Sequence, residues 1–176
     1  MSPNRQQKMK SIDSVRSKIL DRQKLAGILE KYRNAGRKIV FTNGCFDILH
    51  RGHIEYLSHA SDLGDVFIIG LNSDESVRKI KGENRPAVDE ESRALTLAAF
   101  EFVNYIVLFS EDTPSELMQI LLPDVWVKGG DYKNIEDLPE YRIAVENGVK
   151  VVVLPFVEGF STTDIYNRIL GKSGLQ

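Results

Sequence analysis

The chain has 176 residues, room for one ordinary domain that buries roughly two-thirds of its unfolded surface without disulfide or zinc support. Hydrophobic residues at 42% and charged residues at 27% exclude a disordered or fibrous chain, and no apolar run approaches the length of a membrane span. Net charge of -2 excludes a broad basic face for nucleic acid, so any anion site must be local.

The opening MSPNRQQKMK is positively charged but leads into no apolar segment, so it does not read as a secretory signal. Residues 1–18 are expected as a tail and residues 19–172 as a single domain. Asp21 is placed to cap a helix through Leu25, Ile28, Leu29 and Tyr32, with Gly36 to end it. The pattern then changes to short apolar runs. Lys38–Gly44, Val66–Asn72, Tyr105–Phe109, Val125–Val127 and Val149–Leu154 read as buried strands, with helical stretches between them. Asp89 precedes a helix through Leu95, Ala98, Ala99 and Phe102. Thr113, Pro114 and Glu116 form the pattern of a capping box before Leu117, Ile120 and Leu121. The alternation predicts an α/β fold: a doubly wound, mainly parallel five-stranded Rossmann-like sheet with helices on both faces. In such a sheet ligands bind beyond the carboxyl ends of the strands, where the strand order reverses, so the residues just after each strand carry the chemistry.

After the first strand comes TNGCFDILHRGH, residues 42–53. Gly44 lets the backbone approach a ligand, and Gly52 sits where a helix can begin. His50 and His53, three residues apart, would lie on one side of the first helical turn, beside amides and a dipole that attract anions. Imidazole donors and helix-start amides together suit a polyphosphate. The plainer alternative for either histidine is a surface or structural role. A zinc site from Cys45, His50 and His53 is disfavoured by the short H-x-x-H spacing and the lack of a second cysteine, so no metal ligands are assigned. G-x-G-x-x-G is absent after the first strand and G-x-x-x-x-G-K-[ST] occurs nowhere, which disfavours dinucleotide and P-loop sites. The single cysteine is compatible with a reducing compartment, and cytoplasm is the expected location.

GCFDILHRGH, followed by KGENRP with Arg93, VKGGDY at residues 127–132 and FSTTDI at residues 160–165, resembles the H-x-G-H nucleotidyltransferase superfamily. In this order the set looks like the adenylyltransferase of ADP-heptose synthesis, a family found alone or as the second half of a kinase fusion; no kinase half is present, so the stand-alone form is expected. Cys45 departs from the aliphatic residue common at this place in the heptose branch. The resemblance implies transfer of AMP from ATP, with Mg²⁺, to a sugar 1-phosphate such as D-glycero-β-D-manno-heptose 1-phosphate, giving ADP-heptose and pyrophosphate. The runner-up is a cytidylyltransferase using CTP and glycerol 3-phosphate or a related alcohol phosphate. A catalytically silent nucleotide-binding domain is the alternative outside enzymology.

The attacking phosphate is already an anion near neutral pH, so no side-chain nucleophile is needed and the work falls on alignment and charge neutralisation. His50 and His53 are expected at the reacting phosphates. The resemblance implies that Lys81 reaches the phosphates from a loop, where it would otherwise be one more solvated lysine. Arg93 falls in the first turn after Asp89, where the dipole disfavours a cation; it is expected as a phosphate ligand, the alternative being a pair with Asp89 or Glu90. Arg85 is a weaker candidate. Thr42, Asn43, Gly44, Cys45, Phe46, Asp47, Gly52 and Asn72 are assigned to nucleotide binding, as are Lys128, Gly129, Gly130 and Asp131 of VKGGDY. Ser161, Thr162 and Thr163 are expected both to cap the last helix and to meet the phosphates. Trp126, Phe100, Phe102 and Tyr105 read as packing. Partners are small molecules, with neither nucleic acid nor membrane, and the resemblance implies a homodimer.

Overall fold

Five short apolar segments form one sheet because each is buried on both sides. In the computed structural model, which describes residues 11–130, 134–155 and 157–171, they are β1 (Ile39–Gly44), β2 (Val66–Asn72), β3 (Tyr105–Phe109), β4 (Val125–Gly129) and β5 (Lys150–Leu154). All pairings are parallel and the order is β3-β2-β1-β4-β5. The order reverses between β1 and β4.

Alternate residues feed two cores. On one face Ile39, Phe41, Ile68 and Trp126 pack against α2 (Arg22–Asn34), α6 (Ser115–Leu121) and α7 (Pro139–Glu146) through Leu25, Leu29, Leu117, Met118, Leu121 and Ala144. On the other, Val40, Phe67, Ile69, Leu71 and Val127 meet α3 (Arg51–Ser61) and α5 (Glu90–Ala98) through Leu57, Ala60, Ala94, Leu97 and Ala98. This is the period-2 alternation of a sheet covered on both faces. The remaining helices are α1 (Ile12–Arg16), α4 (Asp74–Lys81) and α8 (Thr162–Ile169), with a 3₁₀ turn at Ile135–Asp137.

Caps follow the local chemistry. Asp21 accepts from Lys24 N–H (2.8 Å), Ser73 from Ser76 N–H (3.2 Å) and Asp89 from Ser92 N–H (2.9 Å). The start of α6 differs from the capping box expected of Thr113 and Glu116. The helix begins at Ser115, Thr113 Oγ1 donates to Ser115 Oγ (2.8 Å), and Glu116 turns outward to Arg22 (3.1 Å). An ion pair with a neighbouring helix here takes the carboxylate that would have closed the box. The tail boundary also moves. Part of the segment expected as tail forms α1, Lys18 Nζ donates to the Phe100 and Val103 carbonyls (2.9 and 2.6 Å), and Ile19 bridges Ile106 on the β3 edge. Backbone pairing and the lysine's donors hold residues 11–18, which lack a long apolar pattern; residues 1–10 lie outside the described set. No helix of the described residues is long and apolar enough to cross a membrane.

Candidate active site

The carboxyl ends of β1, β2 and β4 open into a cavity of about 860 Å³. Its floor is the loop from β1 to α3. Phe46 takes a positive φ of 44° there, which folds its ring back over Gly44, where a Cβ would lie 2.9 Å from the ring. Only glycine at 44 permits that approach. The ring then meets His53 edge-on, with centroids 5.5 Å apart.

His50 is the N-cap of α3 but makes no capping hydrogen bond, so its imidazole is left for the cavity. It stacks on His53, with ring centroids 3.8 Å apart. Gly52, between them in sequence, is buried; a Cβ would sit 3.1 Å from Phe160 Cβ and 3.2 Å from the His50 ring. The glycine of H-x-G-H is therefore a space requirement, admitting Phe160 beside the histidines. Both Nδ1 atoms are buried without a hydrogen-bond partner. Burial lowers the pKa of His50, and burial reinforced by His50 lowers His53 to about 4. At neutral pH the site thus holds two stacked, uncharged imidazoles beside the start of a helix, a place that an anion would charge.

Beside them stands the start of α8, where the Phe160 ring stacks on His50 with centroids 6.3 Å apart. Ser161 Oγ accepts from Asp164 N–H (3.4 Å) and Thr162 Oγ1 donates to the Ile48 carbonyl (3.2 Å), which ties this helix to the β1–α3 loop. Ser161, Thr162 and Thr163 all line the cavity. Asp47 is the hub of the wall. It accepts from Arg85 (3.0 Å), Tyr166 Oη (2.8 Å) and the amides of Ala87 and Val88 (2.8 and 3.2 Å). Burial pushes its carboxyl up, but these four bonds outweigh burial and hold it below the ordinary value. The Arg85 guanidinium also lies 3.3 Å from the Tyr166 ring centroid. Asp47 is thus engaged as a clamp between loop 82–88 and α8.

The cavity brings together Asn43, Gly44, Cys45, Phe46, Asp47, His50, Gly52, His53, Asn72, Lys81, Lys128 and Gly129 from the sequence-assigned set. Lys81 closes α4 with an exposed side chain, while burial lowers the pKa of Lys128. Asn43 accepts from Trp126 Nε1 (3.3 Å), and Asn72 donates to Ser76 Oγ (2.9 Å). Three assignments fall elsewhere. Thr42 is fully buried, donating to the Val127 carbonyl (2.9 Å) and bonded to Tyr56 Oη (2.7 Å), so it joins β1 to β4 beneath the site. Gly130 donates its amide to Leu154 (3.0 Å) and is not on the cavity wall. Arg93, expected as a phosphate ligand, is 1% exposed and its donors are spent inside the protein. Nε reaches the Val88 carbonyl (2.9 Å), Nη1 the Cys45 and Asn72 carbonyls (2.5 and 2.9 Å) and Nη2 the Asp74 carboxylate (2.6 Å). Its acidic partner is neither Asp89 nor Glu90. Asp131 lies outside the described residues.

Sequence reasoning missed Tyr56, Val77, Ile80, Asp112 and Glu140, all on the wall, and Tyr166 behind it. Only Glu140, a carboxylate beside Pro139 at a helix start, carried a sequence signal. Among the described residues no cluster of three His, Cys, Asp or Glu side chains is placed to hold a metal ion.

Comparison with known proteins agrees with this geometry. A family described as cytidylyltransferase-like matches residues 41–168. The bifunctional protein HldE of Geobacter metallireducens is 49% identical over 158 residues, covering 90% of this chain and 32% of that protein. HldE of Campylobacter jejuni subsp. doylei is 50% identical over 155 residues, 88% of this chain and again 32% of the relative. The chain thus spans about a third of the length of the curated relatives it matches. A lipopolysaccharide core biosynthesis protein from Thermoplasma volcanium superposes with a TM-score of 0.56 at 27% identity, covering 69% of this chain and 98% of that one. Pantoate-beta-alanine ligase from Francisella tularensis superposes at 0.58 and 16% identity over 85% of this chain and 76% of its own, a likeness of fold. With the family match spanning most of the sheet and the whole histidine loop, the chain belongs to the cytidylyltransferase-like family and is a nucleotidyltransferase.

Proposed function

We propose that the chain transfers AMP from ATP to a sugar 1-phosphate, most specifically a heptose 1-phosphate, releasing pyrophosphate. The observation that carries the reading is the stacked His50–His53 pair, with buried unpartnered Nδ1 atoms, lining one cavity together with the start of α8. Similarity to HldE over 90% of the chain, and to a lipopolysaccharide core biosynthesis protein, supports the choice of sugar within the family.

In the reaction an oxygen of the sugar phosphate attacks the α-phosphorus of ATP. A new P–O bond forms, the bond from the α-phosphorus to the bridging oxygen breaks, and pyrophosphate leaves with the electron pair. The attacking oxygen is already ionised, because the second pKa of a phosphate is about 6. The protein therefore aligns the groups and neutralises charge. In this reading His50 and His53 donate to phosphate oxygens as charge moves onto the leaving group. The start of α8 meets the same oxygens with main-chain amides, and Lys81 reaches in from the end of α4. Loss of one such donor costs about 10²–10³ in rate. Mg²⁺ enters as part of the ATP substrate; the cavity carboxylates Asp47, Asp112, Glu140, Glu158 and Asp164 form no cluster of three placed to hold a metal ion, which suits an ion carried by the phosphates. Arg93 holds Asn72 and the Cys45 carbonyl in place, as a positioning residue. A homodimer belongs to the same reading and is checked by sedimentation.

The test is a pyrophosphate-release assay that crosses ATP and CTP with heptose 1-phosphates, other sugar 1-phosphates and glycerol 3-phosphate. Turnover with ATP and a heptose 1-phosphate is the expected result. No turnover with that pair overturns the specific reading, and preference for CTP with glycerol 3-phosphate establishes the cytidylyltransferase alternative.

A further inference from the structure

Glu140 stands second in α7, on the cavity wall, and is only 6% exposed. Its Oε2 is buried and accepts no hydrogen bond. A buried carboxylate oxygen without a donor is costly. A favourable position near a helix start explains an acidic residue there but not its burial against a cavity. Lys128, on the same wall, feels the charge of this carboxylate, which opposes the effect of burial on the ammonium.

The placement says which part of a ligand meets it. The anion-attracting features, His50, His53 and the starts of α3 and α8, gather at the middle of the cavity. Asp112, Pro114, Val77 and Ile80 form the end beyond β2 and β3, whereas Glu140, Lys128 and Gly129 form the end beyond β4, across the point where strand order reverses. A phosphate offers no donor to a carboxylate and repels it. A nucleoside offers ribose hydroxyls and exocyclic amino groups.

We propose that Glu140 Oε2 is a specificity-determining acceptor for a donor of the nucleoside, a ribose hydroxyl or the exocyclic amino group. The cavity then reads the nucleoside at the β4 end. This rests on the nucleotidyl-transfer reading above but not on the identity of the sugar.

The experiment is equilibrium binding by calorimetry, with no acceptor present, using the full chain and its Glu140→Gln and Glu140→Ala variants. The probes are ATP, 2′-deoxy-ATP, 3′-deoxy-ATP, the triphosphate of purine riboside, which lacks the amino group, and pyrophosphate. The unaltered chain is expected to bind one of the three analogues about 10- to 100-fold more weakly than ATP, the scale of a lost hydrogen bond to a charged group. Loss with a deoxy analogue identifies the ribose, and loss with purine riboside triphosphate the amino group. Both variants should reduce that discrimination to within about 3-fold while leaving pyrophosphate affinity undiminished. Equal binding of all four nucleotides by the unaltered chain overturns the proposal without recourse to any variant. So does discrimination that persists in both variants, or a gain in ATP affinity in step with pyrophosphate, which marks simple repulsion. Flat discrimination with normal heptose turnover refutes the role of Glu140 alone; intact discrimination without heptose turnover refutes the sugar assignment alone.

Discussion

Replacing Arg93 with methionine separates a buried pin from a phosphate ligand. The change keeps an unbranched apolar stem and removes a fork whose donors hold Asp74 and the carbonyls of Cys45, Asn72 and Val88. Breaking a buried ion pair by deleting one partner costs about 3–5 kcal/mol. Here the surviving Asp74 side chain is 24% exposed, so water takes up part of its charge and the loss falls at the lower figure, about 3 kcal/mol. For a chain of this length each kcal/mol lowers Tm by about 2–4 °C, so calorimetry should record a fall of about 6–12 °C. Arg93→Lys keeps a charge for Asp74 but cannot serve three carbonyls in the same geometry, so its Tm should lie between the two. Because Asn72 and the Cys45 backbone line the cavity, kcat/KM should fall together with stability, and the loss of the Arg93→Met and Asp74→Asn changes combined should be less than their sum. An Arg93→Met protein that melts like the parent yet loses turnover would refute this reasoning and return Arg93 to the phosphates.

Other outcomes follow from the same geometry. His53 has a pKa of about 4 in the folded chain against 6.5 for a free histidine, so the unfolded chain protonates first as pH falls. The associated stability is complete above pH 6.5 and is lost towards pH 4; relative to His53→Asn, denaturant titrations should show a loss of about 3 kcal/mol across that window. A bound polyphosphate raises this pKa, so binding should take up protons near pH 5.5, roughly midway in that window, seen as buffer-dependent heats that His53→Asn diminishes. Gly70→Ala would set a Cβ 2.8 Å from the Phe41 ring and 3.3 Å from Leu117, and should destabilise the chain by about 1–3 kcal/mol, measured by chemical denaturation, without changing the KM for nucleotide. Asp47→Ala frees Arg85, Tyr166 and the Ala87 and Val88 amides at once, so limited proteolysis should accelerate within residues 82–88 and Tm should fall.

The sheet was legible because fully buried parallel strands read as short apolar runs. Each of Ile39–Gly44, Val66–Asn72 and Tyr105–Phe109 is one uninterrupted stretch stopped by polar or glycine residues. The histidine loop was legible because its residues are contiguous, so spacing alone puts His50 and His53 on one turn. Arg93 was read wrongly for a physical reason: sequence places a cation in an unfavourable first turn but not the Asp74, Cys45 and Asn72 groups that receive it, which come from other segments. Thr42 was misplaced similarly, since a strand-end hydroxyl can face a ligand or the next strand, and the partner Val127 carbonyl arrives only when β4 pairs with β1.

Sequence by itself determined the local terms: which segments are strands, which residues cap α2, α5 and α8, and that a glycine stands at 44 two residues before Phe46. Those terms depend on neighbours a few residues away, through backbone sterics and hydrophobic period. Tertiary structure decided what crosses the sheet: which polar groups are consumed by distant carbonyls and which are left unpartnered at the cavity. A hydrogen bond between residues about fifty apart has no periodic trace in the chain. The same guanidinium or carboxylate becomes pin or ligand contact according to what the parallel pairing brings beside it.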